Sequence, residues 1–340
     1  MRWLFLIGGS DLLSSEDKMR VGVIGVGVMG ENHTRVYSEM ESVALIGVSD
    51  NDEARAESVA RQYYTKAYLD YKEMLEEGPD AISISVPTSM HKMVALDAID
   101  HGIKGILIEK PISDTLENAD KIISAAEEAG VRLVIGHIER FNPAVSKLKE
   151  MIDKKVLGDI VSISAKRVGP FNNRIRDVGV ITDLGVHDID VISYLYGKRV
   201  ENVVTIAGNG VRPFEDRASI LMRFGGNCSG IIETNWLTPH KVRTLAVMGL
   251  EGVAYLDYIK QTLEVHFNGG RIEVVKVDKE EPLRREIEHF IHVVSNGIHS
   301  PSSGLNGRYV LAVAMAALQS YTNSSMVSPI DGSSRFYPIV

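Results

Sequence analysis

The chain has 340 residues, 44% of them hydrophobic and 24% charged. That mixture argues against a disordered chain, and no heptad or G-X-Y period runs through it to indicate a coiled coil or collagen. Forty-five acidic against 37 basic residues leave a formal net charge of −8, which argues against a general nucleic-acid coat, since phosphate binding rests on a Lys/Arg excess. At roughly 150 residues per domain, the length predicts two domains.

Cys228 is the single cysteine, so no intrachain disulfide forms, a Cys-rich zinc site is excluded, and the usage fits a reducing cytoplasm. Trp3–Ile7 is too short for a secretory apolar core and no small-x-small cleavage site follows it. No stretch reaches the ~18–20 apolar residues of a membrane span, so no membrane partner is predicted. Met19 stands immediately before the first clear strand, and residues 1–18 read as an extension outside the fold.

From residue 19 to about 136, strand-like and helix-like segments alternate. Val21–Ile24 is a short apolar run, followed by a helix with Met29, His33, Val36 and Met40 on one face. Val43–Val48, Ala81–Val86, Ile103–Ile108 and Val131–Ile135 read as further strands. Asp114–Ala129 reads as a helix, with Asp114 and Glu117 at capping-box spacing and Gly130 as its stop. Apolar strands alternating with helices predict βαβ units and a parallel, doubly wound sheet.

After about residue 150 the pattern changes. Ile160–Val168 reads as a long strand and Ile181–Tyr196 as a helix. Val203–Ala207, Ser219–Phe224, Gly230–Trp236, Arg243–Met248, Ala254–Tyr258 and Thr262–Phe267 follow as strands with few helices between them. Asn268-Gly269-Gly270 joins the last to Ile272–Val277 as a hairpin. The prediction is an α+β domain with a large, mostly antiparallel sheet, open on one face. Pro282–Asn296 reads as an amphipathic helix with Leu283, Ile287, Phe290, Ile291 and Val294 on one stripe, and Leu305–Tyr321 as a buried helix. The predicted division is a dinucleotide-binding domain over 19–136, a substrate-binding and oligomerisation domain over 137–330, and a tail over 331–340.

Gly25-Val26-Gly27-Val28-Met29-Gly30 lies between a strand and a helix. Gly25 permits the tight turn, Gly27 lets the backbone approach a pyrophosphate, and Gly30 allows close helix–strand packing. The pyrophosphate then sits on the helix N-terminus, where Val28 and Met29 lie and free N–H groups favour anions. Asp50 ends the second strand, where an acid takes both ribose hydroxyls and repels a 2′-phosphate; NAD is favoured over NADP. The bland alternative is a glycine-rich turn beside a surface acid.

Glu109-Lys110-Pro111 stands at the carboxyl end of a strand, where open α/β sheets place ligands. A lysine there can hold a substrate hydroxyl; the alternative is a solvated loop lysine. In Asp183-Leu184-Gly185-Val186-His187-Asp188-Ile189-Asp190, the i,i+4 spacing puts Asp183 and His187 on one helical face, with Asp190 following. A histidine can take a hydroxyl proton as hydride leaves. The alternatives are an ordinary surface pair or half a metal site, which has no third ligand in the sequence; no metal is predicted.

Gly136-His137-Ile138-Glu139-Arg140-Phe141-Asn142-Pro143 leaves the last parallel strand, where the nicotinamide end of a cofactor belongs; His137 reads equally as a core histidine. Lys166 and Arg167 with Arg174 and Arg176 form a basic cluster in an acidic chain, suited to an anionic substrate such as a diphosphate, or equally a solvated loop that balances charge. His91 follows Pro87-Thr88 near a strand end.

In chain order, Val23–Gly30, Asp50, Val86-Pro87-Thr88 with His91, Glu109-Lys110-Pro111, Arg140-Phe141-Asn142-Pro143, and Asp183 with His187 resemble the glucose–fructose oxidoreductase / inositol 2-dehydrogenase family, often written Gfo/Idh/MocA. The resemblance spans residues 20–330. It implies an N-terminal Rossmann domain, a C-terminal domain with a largely antiparallel sheet, and NAD(P)-dependent oxidation or reduction of sugar-like secondary alcohols. Lys110 matches the lysine of the family's EKP motif, and Asp183 and His187 match its second catalytic motif. His187 is then the general base, Lys110 positions and polarises the hydroxyl, and Asp183 hydrogen-bonds the substrate. The resemblance also implies a cis Lys110–Pro111 bond. It places Gly25, Gly27, Val28, Met29, Gly30, Asp50, Pro87, Thr88, His91, Glu109 and Lys110 at the cofactor, and Lys110, Arg140, Asn142, Arg167, Arg174, Asp183 and His187 at the substrate.

Residues 136–145 with 174–190 look most like family members that oxidise UDP-N-acetylglucosamine at the sugar 3-position. An inositol or free-sugar dehydrogenase is the alternative, and a non-catalytic NAD-binding sensor a third, though it would not need Lys110, Asp183 and His187. The partners predicted are a sugar or nucleotide-sugar substrate and a second copy of the chain, as a homodimer or homotetramer held by the open sheet face.

Overall fold

The computed structural model describes residues 18–171, 178–210 and 213–329. The extension over 1–18, apart from Lys18, and the tail over 331–340 lie outside them, as do Arg174 and Arg176.

The first half runs β1 (Met19–Ile24), α1 (Val28–Ser38), β2 (Val43–Ser49), α2 (Glu53–Gln62), β3 (Lys66–Tyr68), α3 (Tyr71–Glu76), β4 (Ala81–Ile84), α4 (His91–Asp100), β5 (Gly105–Glu109), α5 (Leu116–Ala129) and β6 (Arg132–Gly136). The strands form one parallel sheet in the order β3-β2-β1-β4-β5-β6. The apolar runs identify β1, β2, β4, β5 and β6, because strands covered on both faces have no polar side to alternate. The short edge strand β3, with two of its three residues exposed, carries no such signal. The chain order reverses between β1 and β4, the position at which doubly wound sheets bind ligands.

Two local expectations change. Thr115, not Asp114, caps α5: its backbone is extended and its Oγ1 accepts from Asn118 N at 3.1 Å, while Asp114 accepts from the Asn118 side chain. Gly130 stops the helix at φ +70°. Helix α1 ends at Ser38, so Met40 lies beyond it, and its buried face carries His33, Val36 and Tyr37.

The second half runs α6 (Pro143–Asp153), β7 (Ile160–Pro170), a π-turn (Ile181–Gly185) continuing into α7 (Val186–Tyr196), then β8 (Val200–Gly208), β9 (Arg217–Phe224), β10 (Cys228–Asn235), β11 (Leu237–Gly249), β12 (Gly252–Asp257), β13 (Thr262–Phe267) and β14 (Ile272–Val275). These eight strands form a mixed sheet in the order β14-β13-β12-β11-β7-β10-β9-β8, antiparallel except for the parallel pair β7/β10. Its inner residues, such as Ile163, Ala165, Ile220, Met222, Ile232, Leu245 and Val247, pack against Val145 and Leu148 of α6, Ile189 and Ile192 of α7, and Val313 and Ala317 near the C-terminus.

Two helices close the chain: α8 (Pro282–Asn296) and α9 (Gly304–Asn323). Helix α8 returns to the first sheet. Leu283, Ile287, Phe290, Ile291 and Val293 enter one core with Val21, Val23, Leu107 and Val134, at roughly 1.5–3 kcal/mol for each fully buried large side chain. Val294 seats on Gly105, where an added Cβ would come within 2.2 Å of its Cγ2. The sheets are therefore joined by packing as well as by sequence.

Candidate active site

The carboxyl ends of the parallel strands gather the site. After β1, Gly25 turns the chain at φ +82°, with Ser85 backbone 2.8 Å from where a Cβ would stand. At Gly30 a Cβ would meet Gly25 O at 1.8 Å, so this glycine serves the contact between α1 and the turn. Gly27 differs, because nothing lies within 4 Å of the position its Cβ would take. It is also the N-cap of α1, and no side chain caps the helix there. Val28 is 50% exposed and Met29 half-buried. The turn thus leaves open the one place where backbone N–H groups and the positive end of the helix can meet a phosphate. A dinucleotide fits this cradle.

Asp50, just beyond β2, is tied to the same turn. Its Oδ2 accepts from Val26 N at 3.0 Å and its Oδ1 from Asp52 N at 3.0 Å. Arg55 from α2 reaches both oxygens and also Asp52. After β4, Pro87 is exposed and Thr88 half-buried at the start of a 3₁₀ turn. His91 is buried, with Nδ1 3.0 Å from Pro111 O and Nε2 3.0 Å from Val86 O, so it binds the loops after β4 and β5 to each other.

At the end of β5 the Lys110–Pro111 bond is cis. Lys110 Nζ donates to Asp183 O at 2.7 Å and approaches Asp183 Oδ1 at 3.3 Å. Both side chains keep partial exposure, 17% and 20%. Asp183 sits in the π-turn and His187 in the first turn of α7, so one extra-wide turn links them. Such turns are frequent at functional sites. His187 is half-buried with Nδ1 enclosed and unpartnered. Burial, then the positive charges of Lys110, Arg167 and Arg243, hold its pKa well below the usual histidine value of 6.5. The ring is therefore neutral near pH 7 and free to accept a proton.

Behind this pair lies a buried polar layer. Glu109 Oε1 meets His33 Nε2 at 3.0 Å, and His33 Nδ1 continues to Ser83 Oγ at 3.1 Å. Glu286 from α8 reaches the same place, fully buried, with neither carboxylate oxygen hydrogen-bonded. His33, Glu109 and Glu286 bring ligand-type atoms within 4.8 Å of one another, the one such group among the described residues. Desolvation, then the charge of Glu109, raises the Glu286 pKa well above 4.5, so the folded site favours its protonated form.

Several residues expected at the substrate have other places. Lys166 and Arg167 are neighbours in sequence but alternate across β7. Lys166 pairs with Glu233 at 3.1 Å on the outer face. Arg167 points inward, 2% exposed, between Asp188 (2.8 and 3.1 Å) and Glu139 (2.8 Å). A period of two cannot put both cations on one face. Arg140 is buried against Asp190 (2.8 and 3.0 Å) and donates to Pro301 O. Asn142 caps α6 and donates to Tyr258 O. His137 is buried, with neither ring nitrogen hydrogen-bonded. Arg174 is outside the described residues.

Arg243 belongs to none of the sequence motifs. It lies on β11, directly opposite Arg167, and its charge acts on His187. The signal was its place in the alternation of Arg243, Leu245 and Val247, which share the inner face.

Comparison with known proteins agrees with this geometry. The profile described as "Oxidoreductase family, NAD-binding Rossmann fold" matches residues 19–137, and that of the "GFO/IDH/MocA C-terminal domain" matches 145–255. UDP-N-acetylglucosamine 3-dehydrogenase from Acidithiobacillus ferrooxidans is 32% identical over 308 residues, 87% of this chain and 95% of that protein. Its solved structure superposes with a TM-score of 0.83, covering 89% of this chain and 97% of that one. The NAD(+)-dependent scyllo-inositol 2-dehydrogenase of Bacillus subtilis is 26% identical, covering 92% of this chain and 96% of the relative. A levoglucosan dehydrogenase solved with NADH and L-sorbose shares the fold at TM-score 0.85 and 20% identity, covering 93% of this chain and 100% of that one.

Proposed function

Because the chain belongs to the Gfo/Idh/MocA family of NAD-binding oxidoreductases, we propose that it oxidises a secondary alcohol of a sugar nucleotide, with UDP-N-acetylglucosamine at its 3-position as the substrate. It is a dehydrogenase acting on CH–OH groups. The observation that carries the reading is the convergence of Lys110, Asp183 and a neutral His187 beyond the parallel sheet.

The nicotinamide cofactor, when bound, supplies the hydride acceptor. The turn over Gly25–Gly30 holds the pyrophosphate, Val28 and Met29 offer the first helical N–H groups, and Asp50 takes the adenosine ribose hydroxyls. An aspartate held at the Val26 N–H repels a 2′-phosphate, which supports NAD over NADP. Pro87 and Thr88 border the cofactor from β4, and Glu109 and His91 set the loop that carries Lys110. On the substrate side, Lys110 donates to the reacting hydroxyl and stabilises charge as its proton leaves. His187 accepts that proton. Asp183 steadies the ammonium and offers an oxygen to a neighbouring substrate hydroxyl.

The sugar-nucleotide reading rests on the 32% identical relative, which spans nearly the whole chain. An inositol is the second reading, supported by two inositol 2-dehydrogenases that match 89–92% of the chain at 26–27% identity. Incubating the protein with NAD and UDP-N-acetylglucosamine, myo-inositol or glucose, while following absorbance at 340 nm with a recycling system for the product, separates them. Silence with every nucleotide sugar but turnover of inositol replaces the first reading with the second.

The outer face of the eight-stranded sheet supports self-association. One row across six strands runs Leu221, Ile231, Ser164, Ala246, Tyr255 and Glu264, and Leu221, Ile231 and Tyr255 are 43–49% exposed. A second copy of the chain would cover it, as a homodimer or homotetramer. Sedimentation showing only monomer at micromolar concentration would overturn this.

A further inference from the structure

Arg243 and Arg167 are direct cross-strand partners on β11 and β7, both on the inner face. Like charges placed opposite each other on a sheet are destabilising, so such a pair needs a reason. Arg167 is fully engaged: Asp188 and Glu139 grip its guanidinium and the Tyr258 ring lies 4.9 Å from it. Arg243 has no such grip. Among the described residues its one ion contact is Glu139 Oε1, at 4.0 Å, and that carboxylate is already bonded to Arg167 at 2.8 Å.

The Arg243 side chain is also the more open of the two, 36% exposed against 2%. Burial and the charge of Arg167 push it below its ordinary range, while Glu139, Asp188 and Asp183 pull it back. It therefore stands within the field of Asp183 and His187, beside the place where a sugar would sit. Upstream on the same strand, where the register shifts between Leu237 and Val242, His240 and Lys241 are exposed. A cation that is partly dehydrated, loosely paired and partly exposed is arranged to receive an anion.

We propose that Arg243 is a specificity residue of this site, receiving the phosphoryl group of an anionic sugar substrate. The inference rests on the dehydrogenase reading above and adds to it the residue that receives the substrate's phosphoryl group. Its guanidinium would give two N–H donors to one phosphoryl group, a geometry that lysine cannot reproduce.

The test compares wild type with Arg243→Gln and Arg243→Lys, using UDP-N-acetylglucosamine, glucose 6-phosphate and myo-inositol, with circular dichroism to establish folding. Calorimetry on NADH-saturated protein measures binding of UDP and of inorganic phosphate. Arg243→Gln is expected to raise KM for the phosphorylated substrate, and Kd for UDP or phosphate, by tenfold or more. The rise in KM should exceed both the fall in kcat and the loss on inositol, and Arg243→Lys should recover part of it. Which of the two phosphorylated sugars responds distinguishes a diphosphate from a monophosphate. Equal losses on charged and neutral substrates, no loss at all, or a wild type that binds neither UDP nor phosphate would each overturn the proposal. If no sugar is turned over but UDP or phosphate binds in an Arg243-dependent way, the anion site stands and the dehydrogenase reading falls.

Discussion

The Lys110 ammonium lies 2.7 Å from the main-chain oxygen of Asp183 and 3.3 Å from its carboxylate, joining the end of a parallel strand to a π-turn 73 residues later. One donor is spent on the backbone carbonyl and a second on the carboxylate, which together fix the Nζ position. The third donor is available to a hydroxyl. Lys110→Met should keep the fold, since the side chain is partly exposed, and lower kcat by about 100-fold or more, the usual loss when one stabilising donor is removed. Single-turnover hydride transfer is the measurement, and a kcat within threefold of wild type would contradict the role.

His187 gives the second prediction. Its folded pKa is depressed, so the neutral base persists as pH falls below the usual 6.5. The acid limb of kcat/KM, which reports the free enzyme, should therefore lie below pH 6.5. The same shift bears on stability. A histidine that folding keeps neutral must be discharged in the folded state, so its contribution is lost as pH drops from 6.5 toward the folded value. His187→Asn should abolish the limb and cut kcat by ~10²–10⁴-fold. An acid limb at or above pH 6.5 would argue that another group is the base.

Much of this site was legible because its chemistry sits at strand ends, and apolar strands announce themselves. The glycine turn, Asp50 and Lys110 lie where a run stops, while Asp183 and His187 were marked by their i,i+4 spacing in a segment that reads as a helix. What was not legible is the sense of each side chain. Arg140, Asn142 and Arg167 share motifs with the site yet turn into the core, because Asp190, Tyr258 O and Asp188 await them there. Those partners come from 21 to 116 residues away, and a linear reading has no access to them. The Lys166/Arg167 split was readable, since adjacent strand residues face opposite ways. Glu286 was hidden for another reason: only the return of α8 to the first sheet brings it to Glu109 and His33.

Glu286 supplies the third prediction. Its raised pKa means that the folded chain holds a proton that the unfolded chain releases above about pH 4.3. Stability therefore declines as pH rises from that value through the folded pKa. Glu286→Gln removes the penalty and keeps the shape. Its melting temperature should exceed that of wild type at pH 7.5, with the gap closing near pH 4. A variant less stable than wild type at pH 7.5 would show that the carboxylate is ionised and paired.

Arg167 gives the fourth. With Asp188 and Glu139 it forms a buried triad, and such groups often add little over a well-packed apolar replacement of all members. Removing only the cation is different, because two carboxylates are left uncompensated. Arg167→Met should cost about 3–5 kcal/mol in urea unfolding. The triple variant Arg167→Met, Asp188→Leu, Glu139→Leu should recover part of that loss. A single variant within 1 kcal/mol of wild type would mean that water or Arg243 takes over the neutralisation.

The glycine turn separates folding from cofactor binding. At Gly30 an added Cβ would stand 1.8 Å from Gly25 O, so Gly30→Ala forces α1 away from the turn and should lower the melting temperature with or without NAD. At Gly27 the same atom meets nothing within 4 Å, and φ of −63° suits alanine. Gly27→Ala should leave the melting temperature of the cofactor-free protein within about a degree of wild type. The new methyl would still occupy the approach that the open helix end offers a pyrophosphate, so NAD affinity should fall about tenfold, equal to ~1.4 kcal/mol. Fluorescence titration of NADH measures this directly. Equal NADH affinity in Gly27→Ala and wild type would mean that the dinucleotide does not lie over this turn, whatever its sequence pattern.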